Sequence, residues 1–246
     1  MKKQRRQKAK NSINSMLKYS RIFAKEKTAP IYLIIPGFIG NYSEGFVGRL
    51  YAFLLEKGHS VQGVVFRGHE KDEKDLASLD EMVAHIKTQY LTLRKSYPER
   101  LVTILAHSQG CAVALKSATI FDKKTSLVLI APAIYLSRII LSRITKEDLQ
   151  AIESGASVNC KISREKFRTI NLDWILSYRN FSLETVLPKI KQHCLIVRPK
   201  EDWIDRENVD SLCQKLPNAK YLELPGDHIF AEPEDVFSKL VTKIFS

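Results

Sequence analysis

One short stretch decides the expected fold, Leu105-Ala106-His107-Ser108-Gln109-Gly110. The apolar residues at 101–105 predict a buried strand, and the small residues at 109–118 predict a helix that follows it directly. Ser108 is therefore expected on a sharp turn between strand and helix. Ala106 and Gly110 stand two residues before and after the serine, where a larger side chain would strike the neighbouring strand or helix. Such a turn presents a serine hydroxyl for nucleophilic attack.

Strand and helix signals alternate outward from this stretch, beginning at residue 31. Continuous apolar runs predict further strands at residues 31–35, 60–66, 127–130, 194–197 and 221–224. The segments between most of them carry apolar residues at helical spacing, and one opens with a capping box. Unbroken apolar strands separated by amphipathic helices indicate an α/β fold, in which a mostly parallel sheet carries helices on both faces.

Residues 134–187 interrupt this alternation with helical fragments and no good strand. A segment of this length is too long for a plain crossover between strands, so it predicts a cap inserted into the domain. The overall composition, 44% hydrophobic and 9% aromatic, fits one globular domain over residues 28–246. We find no secretory signal and no apolar run of the roughly 18 residues that cross a bilayer, so we expect a cytoplasmic protein.

The net charge of +12 is concentrated at the N-terminus. Residues 1–27 hold ten Lys or Arg and one acid, which leaves only +3 for the rest of the chain. A solvated basic tail is the simplest interpretation of this segment. The functional interpretation is a reversible peripheral contact with an anionic membrane, and nucleic acid is not expected as a partner.

A serine hydroxyl needs a general base, and in a turn of this kind the acid precedes the histidine along the chain. His228 follows the last predicted strand, at the carboxyl end, where open α/β sheets place their active sites. His193 begins a strand and is expected at the opposite end of the sheet. We therefore predict His228 as the general base of Ser108.

The acid that orients this histidine is expected after the strand at 194–197. Asp202 is the favoured residue because it lies just beyond the end of that strand, and Ile204 can anchor the loop after it. Glu201 and Asp205 remain as alternatives. Their simpler interpretations are a solvated surface residue for Glu201 and a charge at a helix N-terminus for Asp205.

A tetrahedral intermediate needs backbone N–H donors for its oxyanion. The residue after the nucleophile supplies one of them, so we expect the N–H of Gln109 to contribute. The second is expected from the loop after the strand at 31–35, where Gly37 allows a close backbone approach and Phe38 provides the N–H group. The simpler interpretation of Pro36-Gly37 is an ordinary turn.

The ordered set of motifs resembles the α/β-hydrolase family, and within it the monoacylglycerol lipases, lysophospholipases and small carboxylesterases. The resemblance covers residues 28–246 and is carried by Pro36-Gly37-Phe38, Arg67-Gly68-His69, His107-Ser108-Gln109-Gly110, Asp202 and His228. It implies an eight-stranded sheet, a small helical cap inserted after the sixth strand, and no metal or organic cofactor. The four cysteines also fit neither a zinc site nor a disulfide framework.

The sequence departs from the pattern of that family at three positions. Pro36 stands where the family has histidine, and Glu70 and Cys111 stand where it has glycine. Little chain also precedes Ile31, so residues 1–30 either form a truncated sheet edge or leave the family's first two strands absent. We expect Arg67-Gly68-His69 to pack a loop near the site without a direct catalytic role.

The resemblance implies cleavage of a small-molecule or lipid ester through an acyl-enzyme. Tyr135 and Trp174 of the cap, with Gly37, are the candidate substrate-binding residues, although packing of the cap onto the core also explains such apolar side chains. A peptidase, amidase or thioesterase uses the same three catalytic residues. A non-catalytic binding protein on the same scaffold is the alternative from a different class.

The basic segment generates a prediction about membranes. The full chain should bind vesicles that contain anionic lipid at about 0.05 M salt and release them at about 0.5 M, because salt screens the attraction. A chain that lacks residues 1–27 should not bind. Vesicle co-sedimentation measures the effect, with uncharged vesicles as the control. Equal binding by both chains would contradict the membrane role.

Overall fold

The computed structural model describes residues 20–22, 29–70, 73, 75–162, 167–231 and 235–245. Most of the basic segment 1–27 lies outside these residues, and so does its predicted contact with membranes. The division between this segment and residues 28–246 therefore stays a prediction.

Nine strands are present in the described part of the chain. In chain order they are β1 Ser20–Arg21, β2 Ile31–Ile35, β3 Ser60–Gly63, β4 Val102–His107, β5 Ser126–Ile130, β6 Val158–Lys161, β7 Phe167–Ile170, β8 His193–Pro199 and β9 Ala219–Leu224. Seven of them form one sheet in the order β1-β3-β2-β4-β5-β8-β9. Every neighbouring pair is parallel except β1 and β3. The carboxyl ends of the six parallel strands therefore meet at one edge of the sheet.

Helices cover both faces of this sheet. They are α1 Gly45–Glu56, α2 Leu79–Ser96, α3 Gln109–Ser117, α4 Leu136–Leu141, α5 Lys146–Glu153, α6 Leu172–Arg179, α7 Glu207–Lys215 and α8 Val236–Phe245. One buried apolar cluster unites α2, α3, α7 and the cap with one face, and a second cluster unites α1 and α8 with the other. The predicted α/β architecture, with a mostly parallel sheet between helices, is confirmed.

The predicted capping box begins α2. The Ser78 hydroxyl oxygen accepts the N–H of Glu81 at 3.2 Å, and the Glu81 carboxylate accepts the N–H of Ser78 at 2.8 Å. Each side chain thus satisfies a backbone donor that the first turn of the helix leaves without an intrahelical partner.

The number of strands departs from what the family resemblance implied. The sheet has seven strands in the described residues, where eight were expected. Five strands precede the cap, where six were expected. The reason lies before Ile31, where the described chain contributes only the two-residue antiparallel edge β1. Residues 20 and 21 of the basic segment thus belong to the sheet.

The cap also contains a structure that the sequence did not predict. Strands β6 and β7 pair antiparallel as a hairpin inside residues 134–187, where only helical fragments were expected. Both strands are short, and Cys160 is the only buried residue of β6. A strand with so little apolar surface carries no apolar run, so it is invisible to a periodicity argument.

No helix within the described residues is long and apolar enough to cross a membrane.

The junction of β2, β4 and α3 generates a prediction about stability. A Cβ at Gly110 would lie 2.5 Å from the carbonyl oxygen of Pro36 and 2.7 Å from that of Ile35. Alanine favours a helix over glycine by only about 1 kcal/mol, whereas such overpacking costs about 1–3 kcal/mol or more. Gly110→Ala should therefore lower the free energy of unfolding, as measured by urea titration.

Gly40→Ala is the matched control, because a Cβ there would meet its nearest neighbours at an ordinary 3.5 Å. This variant should unfold close to wild type. Equal stability of the two variants would contradict the steric argument.

Candidate active site

The loop between β4 and α3 holds Ser108 in a strained backbone conformation. Its φ of 53° and ψ of −124° lie in a region that residues other than glycine rarely adopt. Three backbone hydrogen bonds hold the turn. The Ser108 N–H donates to Ile130 O at 3.0 Å, and the Ser108 carbonyl accepts from the N–H of Cys111 at 3.0 Å and of Ala133 at 3.3 Å. The surrounding strands thus impose a conformation that raises the hydroxyl above the sheet edge.

The structure brings Ser108, His228 and Asp202 together from the ends of three strands. His228 Nε2 lies 2.9 Å from Ser108 Oγ, and His228 Nδ1 lies 2.8 Å from Asp202 Oδ1. An ionised carboxylate only accepts, so Nδ1 carries the proton and Nε2 is free to accept the hydroxyl proton of Ser108. The Asp202 side chain is only 2% exposed, which protects this interaction from solvent screening.

Geometry separates Asp202 from the two alternative acids. Asp202 Oδ1 also accepts the N–H of Ile204 at 2.9 Å, which fixes the carboxylate in place. The Glu201 carboxylate instead accepts the N–H of Gly226 at 2.6 Å. Asp205 is exposed and pairs with Arg138 at 3.3 Å. Within this arrangement only Asp202 reaches the imidazole of His228.

The loop that carries His228 is held from two sides. Arg49 of α1 donates to the carbonyl oxygens of Ile229 and Phe230 at 2.9 and 2.8 Å. His107 Nε2 lies 3.0 Å from the carbonyl oxygen of His228. Burial lowers the pKa of His107 to about 3, so its imidazole is neutral and its Nε2–H donates to that carbonyl. These contacts set the position of His228 relative to Ser108.

The predicted oxyanion donors lie beside the serine. A Cβ at Gly37 would lie 2.9 Å from Ser108 Cβ, so only glycine allows this close approach of the two loops. The backbone N–H groups of Phe38 and Gln109 form no hydrogen bond to any other described residue. Both residues line the same cavity as Ser108 and His228. Their amides are therefore available to a substrate oxygen.

The side chain of Gln109 joins this site to the cap. Its amide nitrogen donates to Met82 Sδ of α2 at 3.3 Å, and its oxygen accepts the Tyr178 hydroxyl of α6 at 3.0 Å. Gln109 and Tyr178 are both buried. Rotation of this amide would leave buried polar atoms without partners, so the first turn of α3 is fixed.

The cavity above Ser108 has a volume of about 400 Å³. Cap residues Ile139, Ile140 and Arg143 form part of its wall, and Trp203 and Ile229 from the loops after β8 and β9 form another part. The sequence predicts that apolar side chains of the cap can line a substrate pocket, and Ile139 and Ile140 are two such side chains; Arg143 and Trp203 were not predicted there. Neither belongs to a motif or a periodic pattern, so nothing in the sequence indicates that they line the cavity.

Two of the three predicted substrate-binding residues do not line this cavity. Gly37 lines it, but Tyr135 lines a separate cavity with Phe181. Trp174 is 2% exposed, and its ring packs 4.2 Å from that of Tyr178 and 6.5 Å from that of Phe38. Trp174 therefore packs the cap onto the core, which was the alternative explanation for such apolar cap residues.

The remaining candidate histidines lie away from Ser108. His69 is buried, and its Nδ1 contacts the carbonyl oxygen of Gly40 at 2.7 Å, which fits the loop-packing role expected for it. His193 is exposed at the amino end of β8, opposite the active-site edge. The described residues contain no group of three or more His, Cys, Asp or Glu that could hold a metal ion.

Residues 27–180 match the protein family described as serine aminopeptidase, S33. This match includes Ser108 and most of the cap and ends before Asp202 and His228. No curated protein sequence matches the chain.

Several solved structures share the fold over nearly the whole chain. Est1E from Butyrivibrio proteoclasticus, solved with ferulic acid bound, has a TM-score of 0.70 at 19% identity and covers 93% of this chain and 95% of its own. Mouse alpha/beta hydrolase domain-containing protein 10 has a TM-score of 0.63 at 17% identity, covering 87% and 88%. An esterase from Pyrococcus furiosus has a TM-score of 0.61 at 15% identity, covering 88% and 82%. The predicted α/β-hydrolase fold is confirmed.

The buried His107 generates a prediction about pH. Between its folded pKa of about 3 and its usual 6.5, the unfolded chain binds a proton at His107 that the folded protein does not. The free energy of unfolding should therefore fall as the pH decreases through this range, by up to about 1.4 kcal/mol per pH unit from this group.

His107→Phe removes this pH-dependent contribution to the free energy of unfolding. Any other loss of stability that the substitution causes should be the same at every pH. The stability difference between wild type and variant should narrow as the pH falls from about 6.5 toward 4, in urea titrations at several pH values. A difference that stays constant over this range would refute the argument.

Proposed function

Because the chain belongs to the serine aminopeptidase S33 family of α/β-hydrolases, we propose that it is a serine hydrolase that cleaves carboxylic esters through Ser108, His228 and Asp202. The observation that carries the proposal is the unbroken hydrogen-bonded series from Asp202 Oδ1 through the imidazole of His228 to Ser108 Oγ, at 2.8 and 2.9 Å. The strained turn at Ser108 and the two free amides beside it support the same chemistry.

The first half of the proposed reaction forms an acyl-enzyme. Ser108 Oγ attacks the ester carbonyl carbon while its proton passes to His228 Nε2. The carbonyl oxygen becomes an oxyanion that the N–H groups of Phe38 and Gln109 stabilise. The tetrahedral intermediate collapses, the bond to the alcohol oxygen breaks, and His228 returns its proton to that oxygen. Asp202 stabilises the transient imidazolium and keeps its orientation.

The second half releases the acid. A water molecule gives a proton to His228 Nε2 and adds to the acyl carbonyl as hydroxide. The bond to Ser108 Oγ then breaks, the serine regains its proton from His228, and the carboxylic acid leaves. The apolar wall formed by Ile139, Ile140 and Ile229 favours an ester with an apolar part, such as a carboxylesterase, monoacylglycerol lipase or lysophospholipase substrate.

Peptide or amide hydrolysis is the second candidate, because the family that the sequence matches is described as an aminopeptidase. The same three residues cleave either bond. A matched pair of 4-nitrophenyl ester and 4-nitroanilide of one amino acid distinguishes them. Preferred cleavage of the ester, beyond its intrinsically greater reactivity, supports the esterase.

The nucleophile can be tested with a fluorophosphonate probe. The wild type should be labelled and should hydrolyse 4-nitrophenyl esters, whereas Ser108→Ala should lose both activities because no other hydroxyl is paired with His228 among the described residues. Ser154→Ala is the control, since this exposed serine lies at the end of α5 and should leave labelling intact. Absence of labelling in the folded wild type would favour a binding protein without catalysis.

The orienting acid can be tested in the same assay. Asp202→Asn should lower kcat by about 10³–10⁴-fold, since the amide no longer holds the required tautomer of His228. Asp205→Asn is the matched control and should change kcat little, because Asp205 is exposed and contacts only surface charges. A larger loss for Asp205→Asn than for Asp202→Asn would overturn the assignment.

A further inference from the structure

The cavity above Ser108 contains a guanidinium group that no carboxylate of the described residues neutralises. Arg143 follows α4 of the cap, is exposed and lines this cavity. Arg138, Arg179 and Arg206 each form an ion pair with an acidic side chain. Within the part of the chain that the structure describes, Arg143 forms none.

An aromatic ring positions this guanidinium. The guanidinium carbon of Arg143 lies 5.2 Å from the centroid of the Trp203 ring. A cation over the face of an indole is attracted by the ring quadrupole, and the N–H groups at its rim stay available as donors. The contact therefore reduces the freedom of the side chain without consuming its hydrogen-bonding capacity.

The same indole connects Arg143 to the catalytic residues. Trp203 directly follows Asp202 in the chain, and its ring centroid lies 5.0 Å from that of His228. One aromatic ring thus separates the guanidinium from the imidazole that receives the proton of Ser108. Ser108 and Arg143 line the same cavity, so a substrate whose carbonyl sits at Ser108 can extend a second group toward Arg143.

The charge of Arg143 stands among mostly apolar residues of the cavity wall. The wall near Arg143 is formed by apolar side chains of the cap, including Ile139 and Ile140. One carboxylate, Glu44 at the start of α1, lines the cavity as well but forms no ion pair with Arg143. An anionic group beside Arg143 gains an unneutralised partner, whereas the same group beside Glu44 is repelled.

We propose that Arg143 is a specificity-determining residue that selects esters bearing an anionic group, a carboxylate or a phosphate, positioned against the Trp203 ring. The proposal rests on the proposed ester hydrolysis at Ser108. The guanidinium matches either anion with paired N–H donors. Arg143 takes no part in bond cleavage. It raises kcat/KM for an anionic ester relative to kcat/KM for the matched neutral ester.

Two matched substrate pairs test the proposal and distinguish the sources of the anion. The first pair is the 4-nitrophenyl half-ester of adipic acid, which has a free carboxylate, and the neutral compound in which that carboxylate is a methyl ester. Release of 4-nitrophenol is the readout for both. The second is octanoylglycerol phosphate against octanoylglycerol, below their micellar concentrations, with release of octanoate as the readout. The measured quantity in each pair is the kcat/KM of the anionic member divided by that of the neutral member.

Arg143→Gln should lower this ratio about five-fold in at least one pair, the size expected for a partly exposed charge pair. Arg143→Lys keeps the charge and should retain part of the preference. Glu44→Gln should change the ratio in the opposite direction and raise it. The ratio of the wild type should also decrease between about 0.05 and 0.5 M salt because the interaction is screened.

Arg138→Gln is the matched control. Arg138 lies five residues earlier, outside the cavity, and its substitution removes the same charge from the protein. It should leave the ratio at the wild-type value. An equal fall in Arg138→Gln and Arg143→Gln, or no fall for Arg143→Gln in either pair, overturns the specificity proposal. If the wild type hydrolyses no ester at all, the proposed function itself fails.

Discussion

The turn at Ser108 is the constraint on which the rest of the site depends. A serine at φ 53° and ψ −124° costs about 1–3 kcal/mol relative to a relaxed backbone, and it persists only where the surroundings determine it. Here the Ile130 carbonyl of β5 accepts the N–H of Ser108, and the backbone of the β2 loop approaches α3 so closely that position 110 admits no Cβ. The core of the sheet thus maintains the strain, and the strain directs the hydroxyl toward His228.

The partners of the serine reach it because parallel strands end at the same edge. The loops after β8 and β9 are joined before they meet the serine, since Glu201 and Gly226 exchange two hydrogen bonds at 3.0 and 2.6 Å. Arg49 and His107 then hold the β9 loop by its carbonyl oxygens. Contacts to the backbone of the β9 loop therefore set the distance between the His228 imidazole and the Ser108 hydroxyl, together with the contacts of the His228 side chain itself.

Sequence reasoning found the parts of this arrangement that depend on chain order. The elbow, His228 and Asp202 each follow an apolar strand, so local pattern and strand ends are enough to bring them together. The hairpin β6–β7 escaped because neither strand carries an apolar run: β6 buries only Cys160, and β7 buries only Arg168 and Ile170. The short edge β1, in contrast, is one of the two alternatives that the sequence before Ile31 left open. Tyr135 and Trp174 were misplaced for another reason: an apolar cap residue packs equally well into a cavity wall or onto the core, and only tertiary structure decides between them.

The division of labour between sheet and cap follows from the same physics. The groups proposed to move protons need positions fixed to a fraction of an ångström, and in this fold they lie at strand ends supported by a continuous core. The groups proposed to select a substrate tolerate variation, and Ile139, Ile140 and Arg143 lie on a cap that contacts the sheet through side chains. Gln109 belongs to both parts: its backbone faces the cavity while its side chain is locked between Met82 and Tyr178. A cap that shifts must break the buried hydrogen bond between Tyr178 and Gln109. This bond would couple the substrate recognition proposed for the cap to the backbone amide proposed as an oxyanion donor.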